Sequence, residues 1–363
     1  VGKFTLYNEQ NLNKLKHLGD PLADEAAKVL INSPEICREI NEWSTIPEIL
    51  PDHFPVEVYR YFEWMKTSPV AVDRKKVLRS QRFFEENGTL YLTLLGFYSL
   101  PYSYAFADGA QVLVRSKRIM EDVGKRLTET AFFVLECFRP ALFIGDDQSV
   151  LSLAKVRLIH AFSRFFIQNH ASDWDPEWGI PINQEDLLQT NLVFGFLVMR
   201  SMRKIGLTVP QEEVVASLHY WKIIGHYMGI NIEYWPDTAR EAYFLEKCIR
   251  NRHLKSSEAG RMLIKVLINY YREFFQNPAI TRLAEDLVAF LLGEKAADAL
   301  GLKRASPFAA PVYQLLLQTN LFGTSSQPKS YAAQRRSFEV NSQKQLGAQV
   351  RLNIPVIPQR NDR

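Results

Sequence analysis

Two short stretches carry residues that could do chemistry together. One is Arg126-Leu127-Thr128-Glu129-Thr130, which opens an apolar run through Leu135. The other is Arg157-Leu158-Ile159-His160, set inside the mostly apolar segment from Leu151 to Ile167. On a helix, residues three and four apart share a face. Arg126, Glu129 and Thr130 then point one way, while Val156, His160 and Ile167 form a stripe with Arg164 at its margin. The link from Arg139-Pro140 to Ser149 is short enough for two packed, roughly antiparallel neighbours. An imidazole would face a guanidinium, a carboxylate and a hydroxyl across an apolar gap, an arrangement suited to holding a cofactor and moving a proton. The same residues also suit a hydrogen-bonded core histidine beside a solvated, ion-paired edge. Spacing alone leaves both readings open.

The elements that must position these residues are helices. Asp20-Pro21 supplies an N-cap followed by proline at the first helical position. Ser68-Pro69 repeats the device before a helix expected over 70–86. Asn183 caps a helix running to Lys204 that ends at Gly206, and Pro210 opens another through Met228. Asp237, Ser257 and Pro278 mark three further starts. Strand alternation is scarce, no repeat of fixed period appears, and no Gly/Ser linker precedes residue 323. The expectation is an all-α chain: one helical domain over residues 1–322, and a polar, basic tail over 323–363 that is extended or disordered. Removing that tail after about Phe322 is expected to leave the fold intact.

The uncharged segment from Asn87 to Ala107 is nearly long enough to span a bilayer. Gly96, Pro101 and many hydroxyls argue instead for a buried segment that lines an apolar cavity and breaks at Pro101, so no integral membrane span is expected. Hydrophobic residues make up 47% of 363, enough for a substantial core. From Gly323 onward seven cations face two anions, so the tail holds the net charge of +4 and the body is close to neutral. A neutral body argues against nucleic acid as a partner. Cys37, Cys137 and Cys248 are too far apart for a zinc pair or a disulfide framework. Reduced thiols and the lack of a basic-apolar-small leader pattern suit a cytoplasmic protein, although a chain that starts at Val1 leaves a removed leader open.

Among recurrent motifs, the phosphate-binding glycine loops, Gly-x-Ser-x-Gly and His-Glu-x-x-His are absent. None of the seven histidines has Glu three positions before it, which removes the Glu-x-x-His di-iron pattern. Without Cys-x-x-Cys-His, covalent haem attachment is excluded. His219 and His226, two turns apart at ~10.5 Å of rise, are too distant to chelate one metal; they suit polar positions beside Trp221 or a pocket lining. His17, His53 and His253 are expected at the surface and His170 at a helix end. His160 is left as the histidine most surrounded by apolar residues, the environment a buried haem ligand needs.

The chain resembles the rubber oxygenases (latex clearing proteins) and the related fungal oxygenase of mycophenolic acid biosynthesis. Four blocks in order carry the resemblance: Gly19 to Asp24; Ser99-Leu100-Pro101 with Tyr104-Ala105, Gly109-Ala110 and Val112-Leu113; Arg126 to Thr130 followed by His160; and Gly179 to Leu187. The resemblance implies a globin-like helical core with extra helices and a non-covalent haem b. It implies His160 as the iron ligand, with Arg126 and Thr130 beside the haem. Where rubber oxygenases have a lysine able to take the sixth iron position, this chain has Glu129, a candidate base or hydrogen-bond acceptor. The implied function is haem b-dependent oxidation of an apolar, unsaturated or isoprenoid small molecule by dioxygen. Here His160 ligates iron through one ring nitrogen while the other N–H donates to a carbonyl or carboxylate, and Arg126, Glu129 and Thr130 do the chemistry. The alternatives are a non-catalytic helical carrier or sensor of haem or an apolar ligand, and an interaction module without haem. Oligomeric state is not encoded in any of these features.

Overall fold

The computed structural model describes residues 2–67, 71–116, 122–145, 150–303, 311–313 and 330–358. The chain is all-α, and among these residues the only β-type pairing is an isolated bridge between Phe106 and Leu254. The helices that build the site are α1 (Pro21–Leu30), α2 (Val56–Lys66), α3 (Arg74–Leu94), α4 (Ala107–Arg115), α5 (Val123–Cys137) and α6 (Leu151–His170). Behind them lie α7 (Gln184–Leu192), α8 (Gln211–Tyr227), α9 (Ala239–His253), α10 (Glu258–Phe275) and α11 (Tyr331–Leu346).

Local chemistry accounts for most starts. Asp20 caps α1 with Pro21 in the first turn, and the Asn183 side chain accepts from the Asp186 N–H at the start of α7. Thr238, one residue past the expected Asp237, forms a reciprocal capping box with Glu241 at α9. Helix α3 begins later than expected, at Arg74, where Asp73 accepts from two backbone N–H groups; the Ser68-Pro69 device lies outside the described residues.

The expected break at Pro101 does not occur. Helix α3 runs into a wider π turn over Leu95–Ser99, where the Leu100 N–H bonds back five residues to Leu95, and then into a helix over Leu100–Tyr104. A proline in a regular α-turn would clash with the carbonyl four residues earlier, and the wider turn relieves this. A second π turn at Val193–Leu197 packs against the first. Hydroxyls around the two π turns complete the carbonyls that these turns disturb. Ser99 donates to the Val193 carbonyl at 3.1 Å, Tyr91 to that of Phe194, Ser217 to that of Gly195 at 3.2 Å, and Tyr271 to that of Gly96 at 3.0 Å. No helix among the described residues is long and apolar enough to cross a membrane.

The C-terminal segment departs from the expected extended tail. Residues 331–346 form α11, capped by Ser330 and ended by Gly347 at φ 71°. Its sequence shows no amphipathic stripe because few side chains anchor it. Tyr331 and Gln334 are buried against α3 and α5. Beyond it residues 349–358 have no regular structure. The Asn41 side chain pins Ile354 there, accepting from its N–H and donating to its carbonyl, both at 2.9 Å.

Candidate functional site

His160 lies deep in the fold, on α6 between the fully buried Leu158, Ala161 and Phe162. The residue as a whole is nonetheless only half-buried. Nδ1 is sealed and has no hydrogen-bond partner, so the accessible part of the ring lies elsewhere on it. The acceptor expected for a second ring N–H is therefore not found at Nδ1. Burial, and then the positive charges of Arg164 and Arg126, push the imidazole pKa down to about 3. The ring is thus neutral at any ordinary pH. A deep, neutral imidazole with an unpartnered ring nitrogen is a donor that a haem iron can take, so the residues present fit that group.

Helix α6 is held by a buried ion cluster whose pairing the one-dimensional reading missed. Arg157 and Arg164 stand three before and four after His160, on neighbouring turns of one side. Arg157 grips Asp20 with two bonds, Nε to Oδ2 at 2.6 Å and Nη2 to Oδ1 at 2.8 Å. Its guanidinium lies 4.4 Å from the Trp64 ring centre on α2. Arg164 donates to Asp24 Oδ1 at 2.7 Å and to the Ile182 carbonyl at 3.1 Å, with Asp20 within 4.0 Å. The Gly19–Asp24 block therefore anchors the His160 helix. Gly229, at φ 79°, adds a reason for close packing: a Cβ there would fall 2.4 Å from Asp20 Oδ2 and 2.7 Å from Arg157 Nε. The −3/+4 spacing of the two arginines about His160 is the signal that could have found them.

Helix α5 packs beside α6 and brings Arg126 near enough for its charge to act on His160 and on the buried Tyr104. Glu129 is nearly buried and its Oε2 lies 3.8 Å from Arg126 Nη1. The Thr130 hydroxyl donates to the Arg126 carbonyl at 2.9 Å. Arg126, Glu129 and His160 thus share one region. Thr130 sits on the same side of α5 but is tied to its own helix.

The other histidines have separate work. His219 Nε2 accepts from the Asp73 N–H at 2.9 Å, His226 stacks on Trp64 at 4.8 Å, and His53 pairs with Glu39 at the surface. His253 overturns the expectation of a surface position. It is buried, with Nδ1 3.1 Å from Asp108 and Nε2 3.1 Å from Glu185. Lys16 also reaches Asp108, at 2.9 Å, and Arg252 reaches Glu185 at 2.8 Å. Two carboxylates outweigh the burial penalty and raise the His253 pKa to about 9. A neighbouring Arg252 and Lys255 made the residue look solvated in sequence; its partners, far away in the chain, were invisible there. Among the described residues no group of three His, Cys, Asp or Glu side chains could hold a bare metal ion. A haem needs only one protein ligand.

Three comparisons bear on this geometry. The family model described as "ER-bound oxygenase mpaB/B'/Rubber oxygenase, catalytic domain" matches residues 94–319, well over half of the chain. The rubber oxygenase of Streptomyces sp. (strain K30) is 24% identical over 311 residues, which cover 84% of this chain and 74% of that protein. The solved structure of latex clearing protein in its closed state superposes with a TM-score of 0.72 at 22% identity, covering 94% of each chain, and so has the same fold.

Proposed function

The chain belongs to the mpaB/B′ and rubber oxygenase family, and on that premise we propose that it is a haem b-dependent oxygenase acting with dioxygen on an apolar, unsaturated or isoprenoid substrate. The observation that carries the proposal is His160: a deep, neutral imidazole whose Nδ1 has no partner. His160 would hold the iron of the haem, which when bound would supply the one-electron chemistry that activates dioxygen. The Asp20–Arg157 and Asp24–Arg164 pairs keep the ring in place by fixing α6 on both sides of it. Arg126 brings positive charge to the same space, suited to a cofactor carboxylate or to negative charge developing on oxygen. Glu129 accepts a proton from an allylic carbon of the substrate at its carboxylate. Thr130 fixes the turn that carries Arg126.

A second reading, a non-catalytic carrier of haem or an apolar ligand, draws on the local ties of Glu129 and Thr130 within α5. Oxygen consumption separates the two. Haem-loaded protein supplied with a polyisoprene or a shorter polyene is expected to consume oxygen and yield carbonyl products. Haem-loaded protein that consumes none with any polyene tested would leave the carrier reading.

A further inference from the structure

Helix α11 lies beyond the stretch matched by the catalytic-domain model, yet it is docked along the helix that carries the proposed site residues. At one end of the contact the Tyr331 hydroxyl donates to the Leu135 carbonyl at 2.9 Å, in the last turn of α5. Arg335 is ion-paired with Glu136 and lies 5.4 Å from the Phe132 ring centre. A turn further along, Phe338 stacks on Phe132 at 6.1 Å. At the far end Gln345 donates to the Tyr270 hydroxyl on α10 at 2.6 Å. Both press on the start of α5: a Cβ at Gly124 would fall 2.9 Å from Tyr270 and 3.1 Å from Gln345. The contacts run antiparallel to α5 and reach both of its ends.

Helix geometry separates the two faces. At 100° per residue, Gly124, Phe132 and Leu135 lie on one side of α5, and Arg126, Thr130 and Phe133 on the opposite side, with Glu129 and Glu136 between. The Tyr331 hydroxyl and the Arg335 charge both sit at the C-terminal end of α5, where carbonyls lack helical partners and the helix dipole favours a cation. On the other side of α11, Gln334 donates to the Phe84 and Glu85 carbonyls of α3 at 3.4 and 2.7 Å. Its amide fills the space a Cβ at Gly88 would need, 2.2 Å away.

We propose that Tyr331, Arg335 and Gln345 are positioning residues for the reaction: α11 clamps one face of α5 to α3 and α10, and thereby holds Arg126 and the neighbouring Glu129 in place beside the His160 helix. The inference rests on the function proposed above, but its first test does not. The full-length Tyr331→Phe/Arg335→Ala protein, without added haem, is compared with wild type by hydrogen–deuterium exchange. The amides of α5 are expected to exchange at least tenfold faster, with those of α6 unchanged. Tyr331→Phe alone, which removes a single hydroxyl, is expected to show the same pattern more weakly. No acceleration in α5, or equal acceleration in α5 and α6, would overturn the clamp. In the haem-loaded protein, Arg335→Ala is expected to lower kcat in the wild-type background and to add nothing when Arg126 is already Ala. Additive losses would mean that Arg335 does not act through Arg126.

Discussion

The Asp20–Arg157 pair can be tested by changing one atom type. Asp20→Asn keeps the size of the side chain and its ability to cap α1, since asparagine caps as well as aspartate. It removes the charge and turns one of the two acceptors facing Arg157 into a donor. Both partners are 4% exposed, so water cannot stand in for the lost carboxylate. Breaking a buried pair from one side costs about 3–5 kcal/mol, a large part of the 5–15 kcal/mol typical of a folded chain. The urea midpoint of Asp20→Asn should fall accordingly, with little change in the slope of the transition. Replacing both partners with apolar residues, Asp20→Leu with Arg157→Met, should recover most of the loss, because the isolated charge is then gone. The effect also reaches the site: Asp20 is a negative charge that opposes Arg164 and Arg126 at His160, so its loss lowers the affinity of that imidazole for protons further. If Asp20→Asn cost less than about 1 kcal/mol, Arg157 would have to be solvated, and the Asp20–Arg157 pair would not hold α6.

Three other outcomes are expected. Glu129→Gln in the haem-loaded protein should lose ~10²-fold or more in turnover at constant haem content if the carboxylate is the base, whereas Glu129→Lys should give a low-spin, six-coordinate absorption spectrum; unchanged turnover and an unchanged spectrum would remove this residue from the site. His253, with its pKa raised from 6.5 to about 9, lends stability that is complete below pH 6.5 and is lost as pH rises through 9; the melting temperature of wild type should fall across that window more steeply than that of His253→Gln, and parallel curves would contradict the buried Asp108–Glu185 pairing. Truncation after Phe322 removes Tyr331, Gln334, Arg335 and Ile354 from their partners and should lower the melting temperature by about 5 °C or more; an unchanged melting curve would mean that α11 contributes nothing to the fold.

The elements that sequence resolved best are those with local causes. Helix starts at Pro21, Gln184 and Glu258 follow from one capping residue each, and the all-α class follows from their number. Features that depend on distant partners were out of reach. Nothing near His253 in the chain announces Asp108 or Glu185. The π turns depend on hydroxyls from three other helices, and Pro101 by itself reads as a break. Helix α11 was missed because its stability comes from a few polar anchors rather than an apolar stripe. At the site, elimination by neighbours picked out His160 because burial in a helix leaves a local apolar signature. The arginines that hold it were visible as residues but not as partners, since Asp20 and Asp24 lie more than 130 positions away.

The central claim is that His160 holds a haem. It is tested most directly by titrating the purified protein with haem b and following the Soret band in wild type, His160→Gly, His219→Ala and His226→Ala. Wild type and the last two should bind about one haem per chain, while His160→Gly should bind weakly and recover a wild-type-like band when imidazole is added to fill the vacated space. A His160→Gly protein that takes up haem with an unaltered spectrum, or a wild-type protein that takes up none, would contradict the account.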